Sequence, residues 1–133
     1  MRLLYIRNDP SDQIIDLVIA MESITTPEKD SLTYKVSTQI ARLLGNDDVL
    51  EKRVEKRKML KTEISKIYKI RGSLVHRGDF DREDKKLFKS PEEAVRKARE
   101  IVRQINLNLL ELLSSYKFED IIDSIIFLKV YNK

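Results

Sequence analysis

The sequence contains no cysteine among its 133 residues, which excludes disulfide bonds, thiol chemistry and zinc sites built from thiolates. Glycine and proline occur only three times each, which is rare for a fold that depends on many turns. The length suits one compact unit. We therefore expect a single domain over residues 1–133, made of long helices with short connections.

A long hydrophobic run is also missing. The longest mostly apolar stretch, Ile14 to Met21, is interrupted by Asp16 and is too short to cross a bilayer. No charged-then-apolar leader opens the chain, so we expect a cytoplasmic protein with no membrane partner. The formal net charge of +4 permits a polyanionic partner without requiring one.

Hydrophobic periodicity predicts an all-α, up-and-down type bundle of four main helices with short terminal helices. Asp9-Pro10 has the composition of a helix start, and Gly45-Asn46 is expected to end the second helix through the left-handed conformation of glycine. Asp47 or Asp48 is expected to cap the third helix. The four main helices cover about residues 10–25, 29–44, 49–78 and 91–115, and the short ones residues 2–7 and 119–130.

Residues 79–89 are strongly charged and are predicted to form a loop before the fourth helix. Ser90, Pro91 and Glu93 together make a strong helix start after it. The acidic residues of the loop invite a calcium-site interpretation. However, Asp84 stands where a calcium loop needs glycine and Ser90 where it needs glutamate, so we expect an ordinary acidic loop and no metal site.

One residue of the third helix breaks its apolar pattern. Steps of three and four along the inner stripe pass through Leu60, Ile64, Ile67, Arg71 and Leu74, so an arginine occupies a position that should be apolar. A guanidinium there must pair with a carboxylate, extend to water or line a cleft. The chain's single histidine, His76, follows five residues later.

Arg71 and His76 form an R-x4-H motif near the end of a long helix, which resembles the signature of HEPN domains. Three segments in order are similar to the Apea-like HEPN branch: Asp16 to Ile24, Ser31 to Gly45, and Lys66 to Gly78. The resemblance covers about residues 9–115. It implies a HEPN-like helical bundle that dimerises, with the motifs of two chains facing each other.

The resemblance further implies a metal-independent endoribonuclease without cofactors, often in a defence or toxin–antitoxin context beside a nucleotidyltransferase-type antitoxin. Histidine can serve as acid or base near neutral pH, and arginine can hold phosphoryl oxygens. With Arg71 and His76 as catalytic residues, two-histidine chemistry requires two subunits, because each chain has only one histidine.

Four further residues are candidates for supporting the site or binding RNA. Ser73 lies three residues before His76 and can orient its imidazole, and Glu22 can hold Arg71 in place or position RNA. Lys69 and Arg77 are among the cations nearest the motif, and nine Lys or Arg but only two Glu lie between positions 52 and 71.

Two other hypotheses remain open. The chain can be a non-catalytic HEPN module that binds RNA, a nucleotide or a protein, which Gly72 and the modest net charge favour. Alternatively, it is a purely structural helical dimer in which Arg71 pairs internally with Glu22 or Glu63. Glu22 has its own structural alternative, a buried pair with Arg42.

Overall fold

The computed structural model describes residues 9–23, 32–76 and 78–121, and every regular element in these ranges is helical, which confirms the all-α prediction. The helices are α1 (Pro10–Glu22), α2 (Leu32–Leu44), α3 (Leu50–His76), α4 (Arg82–Leu87) and α5 (Pro91–Leu113). Residues 118–121 are helical as well. The predicted helix at 2–7, the start of the second helix at 29–31 and most of the last helix, 122–130, lie outside the described residues.

Two helix starts are set by local caps, as the sequence predicts. The Asp9 carboxylate accepts a hydrogen bond from the Ser11 amide, with Pro10 in the first turn of α1. The Ser90 hydroxyl accepts one from the Glu93 amide, 3.2 Å away, at the start of α5. Each cap provides an acceptor for an amide that has no partner inside its helix.

The buried apolar side chains form one cluster to which α1, α2, α3 and α5 all contribute. α1 packs mainly against α5, and α2 mainly against α3, while the short α4 lies against α3. The apolar spacing of α5 predicts an inner face of Ala94, Ala98, Ile101, Ile105 and Leu112. The first four are buried, and Leu112 is partly buried. None of the helices in the described ranges has the length and apolar character needed to span a membrane.

The prediction of a loop over residues 79–89 is wrong for its central part, because Arg82–Leu87 forms α4. Asp81 and Asp84 cap this helix reciprocally: each carboxylate accepts a 3.0 Å hydrogen bond from the other residue's amide. Phe88, directly after the helix, is buried in the core. Charge density suggested a loop here, but the cap and the buried aromatic ring stabilise a short helix.

The prediction that Gly45 ends α2 in the left-handed conformation is also wrong. Gly78 is the glycine with positive φ in the described ranges (φ 67°), and Gly45 does not share that conformation. Gly45 instead allows close packing, since a Cβ there would lie 2.6 Å from Arg57 Cγ and 2.7 Å from the Ala41 carbonyl oxygen. The small residue is needed because α3 approaches the end of α2.

The N-terminal part of α3 differs from prediction. The apolar spacing of the helix also places Leu50 and Val54 in the predicted stripe, but they are 64% and 42% exposed. At 100° per residue they lie roughly a quarter and a third of a turn from the buried stripe further along α3. The Asp47 carboxylate accepts the amide of Val49, just before the helix begins, so it does not cap an amide inside α3 as expected.

Candidate functional site

Helix α3 carries most of the predicted site. Its 27 residues give it a length of about 40 Å, and Leu60, Ile64, Ile67 and Leu74 bury one stripe in the core. Arg71 falls on this stripe and is half-buried. Its Nε atom is inaccessible to solvent and has no hydrogen-bond partner among the described residues. A buried donor of this kind is costly, so the position of Arg71 calls for an explanation.

Tyr68 and Glu22 lie beside Arg71, where the end of α1 meets α3. The Tyr68 hydroxyl donates a 2.8 Å hydrogen bond to Glu22 Oε2. Burial raises the pKa of Tyr68, the hydrogen bond to Glu22 and its negative charge raise it further, and the charge of Arg71 partly opposes this. The guanidinium of Arg71 is thus within electrostatic reach of the Tyr68–Glu22 pair, inside one protomer.

Tyr68 is not one of the candidate site residues predicted from the sequence. It does pack against the core, and its hydroxyl also binds Glu22, 46 residues away in sequence. Glu63, considered as a partner for Arg71, has its ion pair with Lys66 (3.6 Å). A hydrogen bond between such distant residues leaves no periodic signal in the sequence, so this contact could not be found from the pattern of α3.

His76 is the last residue of α3 and is exposed. The chain leaves the helix there, and the Gly78 amide donates to the Leu74 carbonyl across 3.1 Å. Five helical residues separate His76 from Arg71 by about 140° around the axis. Arg71 therefore lies on the core side and His76 on the solvent side, and one chain does not direct both side chains at one point. Arg77 lies outside the described residues.

Ser73 is buried and donates a 2.8 Å hydrogen bond to Asp84 Oδ1. Asp84 is completely buried, and its Oδ2 atom accepts the amide of Asp81. The hydroxyl hydrogen of Ser73 is therefore directed to α4 rather than to His76, which is exposed. The spacing of Asp81 and Asp84, three residues apart as in a capping box, is a sequence signal for the start of α4 but not for the contact between Ser73 and Asp84.

The basic run of α3 is divided between two roles. Arg57 Nε donates to the Gly45 carbonyl (2.9 Å) and Arg53 Nε to the Asp47 carbonyl (2.9 Å), so both arginines bind the connection after α2. Burial lowers the pKa of Arg57, and the charges of Arg53 and Arg42 lower it further. These contacts show that Arg53 and Arg57 stabilise the α2–α3 connection.

The lysines further along α3 are different, because most of them face solvent. Lys69, one of the predicted site residues, is exposed and lines a shallow groove between α3 and α4 together with Lys66 and Leu87. Lys61 also borders this groove, and its Nζ lies 5.0 Å from the ring centroid of Tyr34 in α2. The structure thus brings Lys69 to the same broad surface as His76, but not to Arg71.

Within the described ranges, no three His, Asp or Glu side chains come together in a group that could hold a metal ion. Comparison of the chain with protein-family models, with curated proteins and with solved structures found no match.

Proposed function

We propose that this chain is a HEPN-like helical bundle that acts as a metal-independent endoribonuclease, with Arg71 and His76 of two identical chains forming the site. The observation that carries the proposal is the pair itself: a half-buried arginine whose Nε has no partner in the described part of the chain, followed by an exposed histidine at the helix end. A buried cationic donor without a partner needs an explanation, and we propose that a phosphate oxygen becomes its partner when the second chain and RNA bind.

Two-histidine chemistry would need a site made by two chains. Each chain has one histidine, and Arg71 and His76 point about 140° apart. Two-fold symmetry would place His76 of a second copy opposite the first. One imidazole would remove the proton of the RNA 2′-hydroxyl as it attacks phosphorus, and the other would protonate the departing 5′-oxygen. Arg71 would stabilise the negative charge on the phosphoryl oxygens. The products would be a 2′,3′-cyclic phosphate and a 5′-hydroxyl.

From the HEPN resemblance we further propose a defence or toxin–antitoxin system, with a nucleotidyltransferase-type antitoxin as partner. We propose the cytoplasm as the compartment. Ser73, Glu22, Lys69 and Arg77 support the site in this hypothesis. Ser73 does so indirectly, by anchoring the end of α3 to α4 through Asp84.

A nuclease assay on single-stranded RNA in the presence of EDTA tests the proposal. We expect cleavage to fall by about 10²- to 10⁴-fold in His76→Ala, the usual loss when a general acid–base is removed. Arg71→Ala should also lose activity, whereas the exposed Lys97→Ala on α5 is the control and should not. Absence of cleavage by the unmodified chain, or full activity of His76→Ala, would refute the proposed ribonuclease activity.

The second candidate is a non-catalytic HEPN module that binds RNA, a nucleotide or a protein. The proximity of Arg71 to Tyr68 and Glu22, on the side of α3 away from His76, favours it, because it directs the arginine toward its own protomer. RNA binding that weakens with salt and with Arg71→Ala, in the absence of any turnover, would identify this function.

A further inference from the structure

We propose that the outward face of α3 from Lys58 to His76 binds the phosphodiester backbone of RNA and leads it to the end of the helix. We call this surface the outer α3 face. It consists of the positions opposite the buried stripe: Lys58, Lys61, Thr62, Ser65, Lys69, Gly72 and His76. The choice of RNA rests on the proposed function, whereas the location of the binding surface rests on the charges and exposure described below.

Helical geometry places these residues together. At 100° per residue, Lys58, Ser65, Lys69 and His76 lie within about 40° of one another around the axis, and the buried stripe with Ile67 lies on the opposite side. All four are exposed. Lys58 and His76 are 18 residues apart, so the face runs for about 27 Å along the helix.

Beyond Lys58 the charge of the face is of one sign, whereas Glu51 and Glu55 lie beside Lys58 at its start. Among the described residues of α3 after Lys58, Glu63 is the carboxylate, and it is half-buried off the face and paired with Lys66. No ion pair is found for Lys58 or Lys69 within the described part of the chain, so their charge is available to a ligand. Two hydroxyls, Thr62 and Ser65, stand between these lysines and can donate to phosphate oxygens as well.

The edges of the face suit a nucleic acid. On one side, Tyr34 of α2 is 58% exposed beside Lys61, so its ring can stack on a base. On the other side, Leu87 of α4 closes the groove that Lys66 and Lys69 border. Near the end of the helix, a Cβ at Gly72 would meet nothing within 4 Å, which leaves open backbone where a phosphate can approach.

An acidic protein is a less suitable ligand for this surface. Protein interfaces concentrate apolar and aromatic side chains at their centre and contain few lysines there. Of the large exposed apolar residues of α3, Met59 lies off this side of the helix, whereas Leu50 and Val54 precede Lys58 and Val75 lies at the edge of the face. A surface of lysines and hydroxyls with one aromatic ring at its edge favours a polyphosphate backbone instead.

The test compares two variants with the same change in charge. Lys58→Gln/Lys69→Gln removes two cations from the outer α3 face, and Lys97→Gln/Arg99→Gln removes two exposed cations from α5. Binding is measured over a range of salt concentrations with single-stranded 2′-O-methyl RNA, which lacks the nucleophile and cannot be cleaved. Single-stranded DNA of the same sequence and polyglutamate serve as further probes. Circular dichroism checks that each variant is folded.

We expect the face variant to lose about 1.4 from the slope of log K against log salt, since each single-strand phosphate contact contributes about 0.7. At about 0.1 M salt this corresponds to roughly 20-fold weaker RNA binding. The α5 variant should change neither value. The proposal is overturned if both variants weaken binding equally, or if polyglutamate binds as tightly and with the same slope as RNA. Tighter binding of DNA than of RNA would overturn only the choice of RNA as the ligand, and the location of the binding surface would stand.

Cleavage of ordinary RNA by the same proteins separates this inference from the proposed function. If cleavage depends on His76 but the face variant binds RNA normally, the proposed RNA binding by the outer α3 face is wrong and the proposed ribonuclease activity stands. If the face variant weakens binding while no protein cleaves RNA, the surface is supported and the ribonuclease is refuted.

Discussion

The hydroxyl of Tyr68 donates a 2.8 Å hydrogen bond to Glu22 Oε2 and thereby connects α3 to the last residue of α1. Both residues are partly buried. A hydrogen bond to a carboxylate is stronger than one between neutral groups. The charge of Arg71 lies nearby. This contact joins two helices that the sequence presents as separate patterns.

The first prediction concerns the energy of this contact. Tyr68→Phe and Glu22→Gln should each destabilise the fold, and the double variant should lose about 1 kcal/mol less than the sum of the single losses. Urea denaturation of the four proteins measures the coupling.

A second cycle with Arg71→Ala in place of Tyr68→Phe tests the purely structural hypothesis. Additive losses there would show that Arg71 is not coupled to Glu22, and strong coupling without any effect on RNA would support the structural dimer.

The second prediction concerns high pH. Burial, followed by the hydrogen bond and charge of Glu22, raises the pKa of Tyr68 in the folded state. In the unfolded chain a tyrosine titrates near pH 10, so the contribution of Tyr68 is complete below about pH 10 and decreases as the pH rises above it. The difference in unfolding free energy between the unmodified chain and Tyr68→Phe should therefore be constant up to about pH 9 and narrow as the pH rises beyond about pH 10. A constant difference would show that the phenol keeps its ordinary pKa.

The third prediction concerns the buried carboxylate of Asp84. Asp84→Ala removes the acceptor of Ser73 and one half of the α4 capping box, and we expect a loss of about 2–4 kcal/mol in unfolding free energy. The neighbouring Glu83→Ala is the control. Its ion pair with Lys86 is exposed, so it should change the stability by less than about 0.5 kcal/mol. Equal effects of the two substitutions would contradict a structural role for Asp84.

The fourth prediction compares two glycines. Gly45→Ala should destabilise the protein by about 1–3 kcal/mol, because the new methyl group would collide with Arg57 and the Ala41 carbonyl oxygen. Gly72→Ala should stabilise it by about 0.5–1 kcal/mol, since alanine favours a helix and the methyl group meets open space. Thermal unfolding measures both. If Gly72→Ala also weakens RNA binding while raising stability, the open backbone at Gly72 serves the ligand.

Features that depend on a few neighbouring residues could be predicted from the sequence. The caps at Asp9 and Ser90 each involve a hydrogen bond that spans two or three residues, so their spacing alone identified them. The same holds for the inner face of α5, where a regular period of burial matches the apolar positions. The capping box of α4 belongs to this class too, but the charge of residues 79–89 concealed it.

Contacts between distant residues could not be predicted. Tyr68 and Glu22, Ser73 and Asp84, and Lys61 and Tyr34 meet only because the helices pack together. Gly45 illustrates the same limit: its composition suggested a turn conformation, whereas the approach of Arg57 explains why no side chain fits there.

By itself, the sequence determined that the described chain is helical and that α3 carries an arginine in its apolar stripe and a histidine at its end. The hydrophobic period and the caps are local properties of the sequence, and they are sufficient to predict the helices and the positions of these two residues along α3. Only the tertiary structure decided that the charge of Arg71 lies near Tyr68, which binds Glu22, while His76 faces solvent on the same side of α3 as the exposed Lys58 and Lys69. The surroundings of each side chain are set by the helices that pack against α3, because burial and partners are properties of the assembled bundle rather than of one helix.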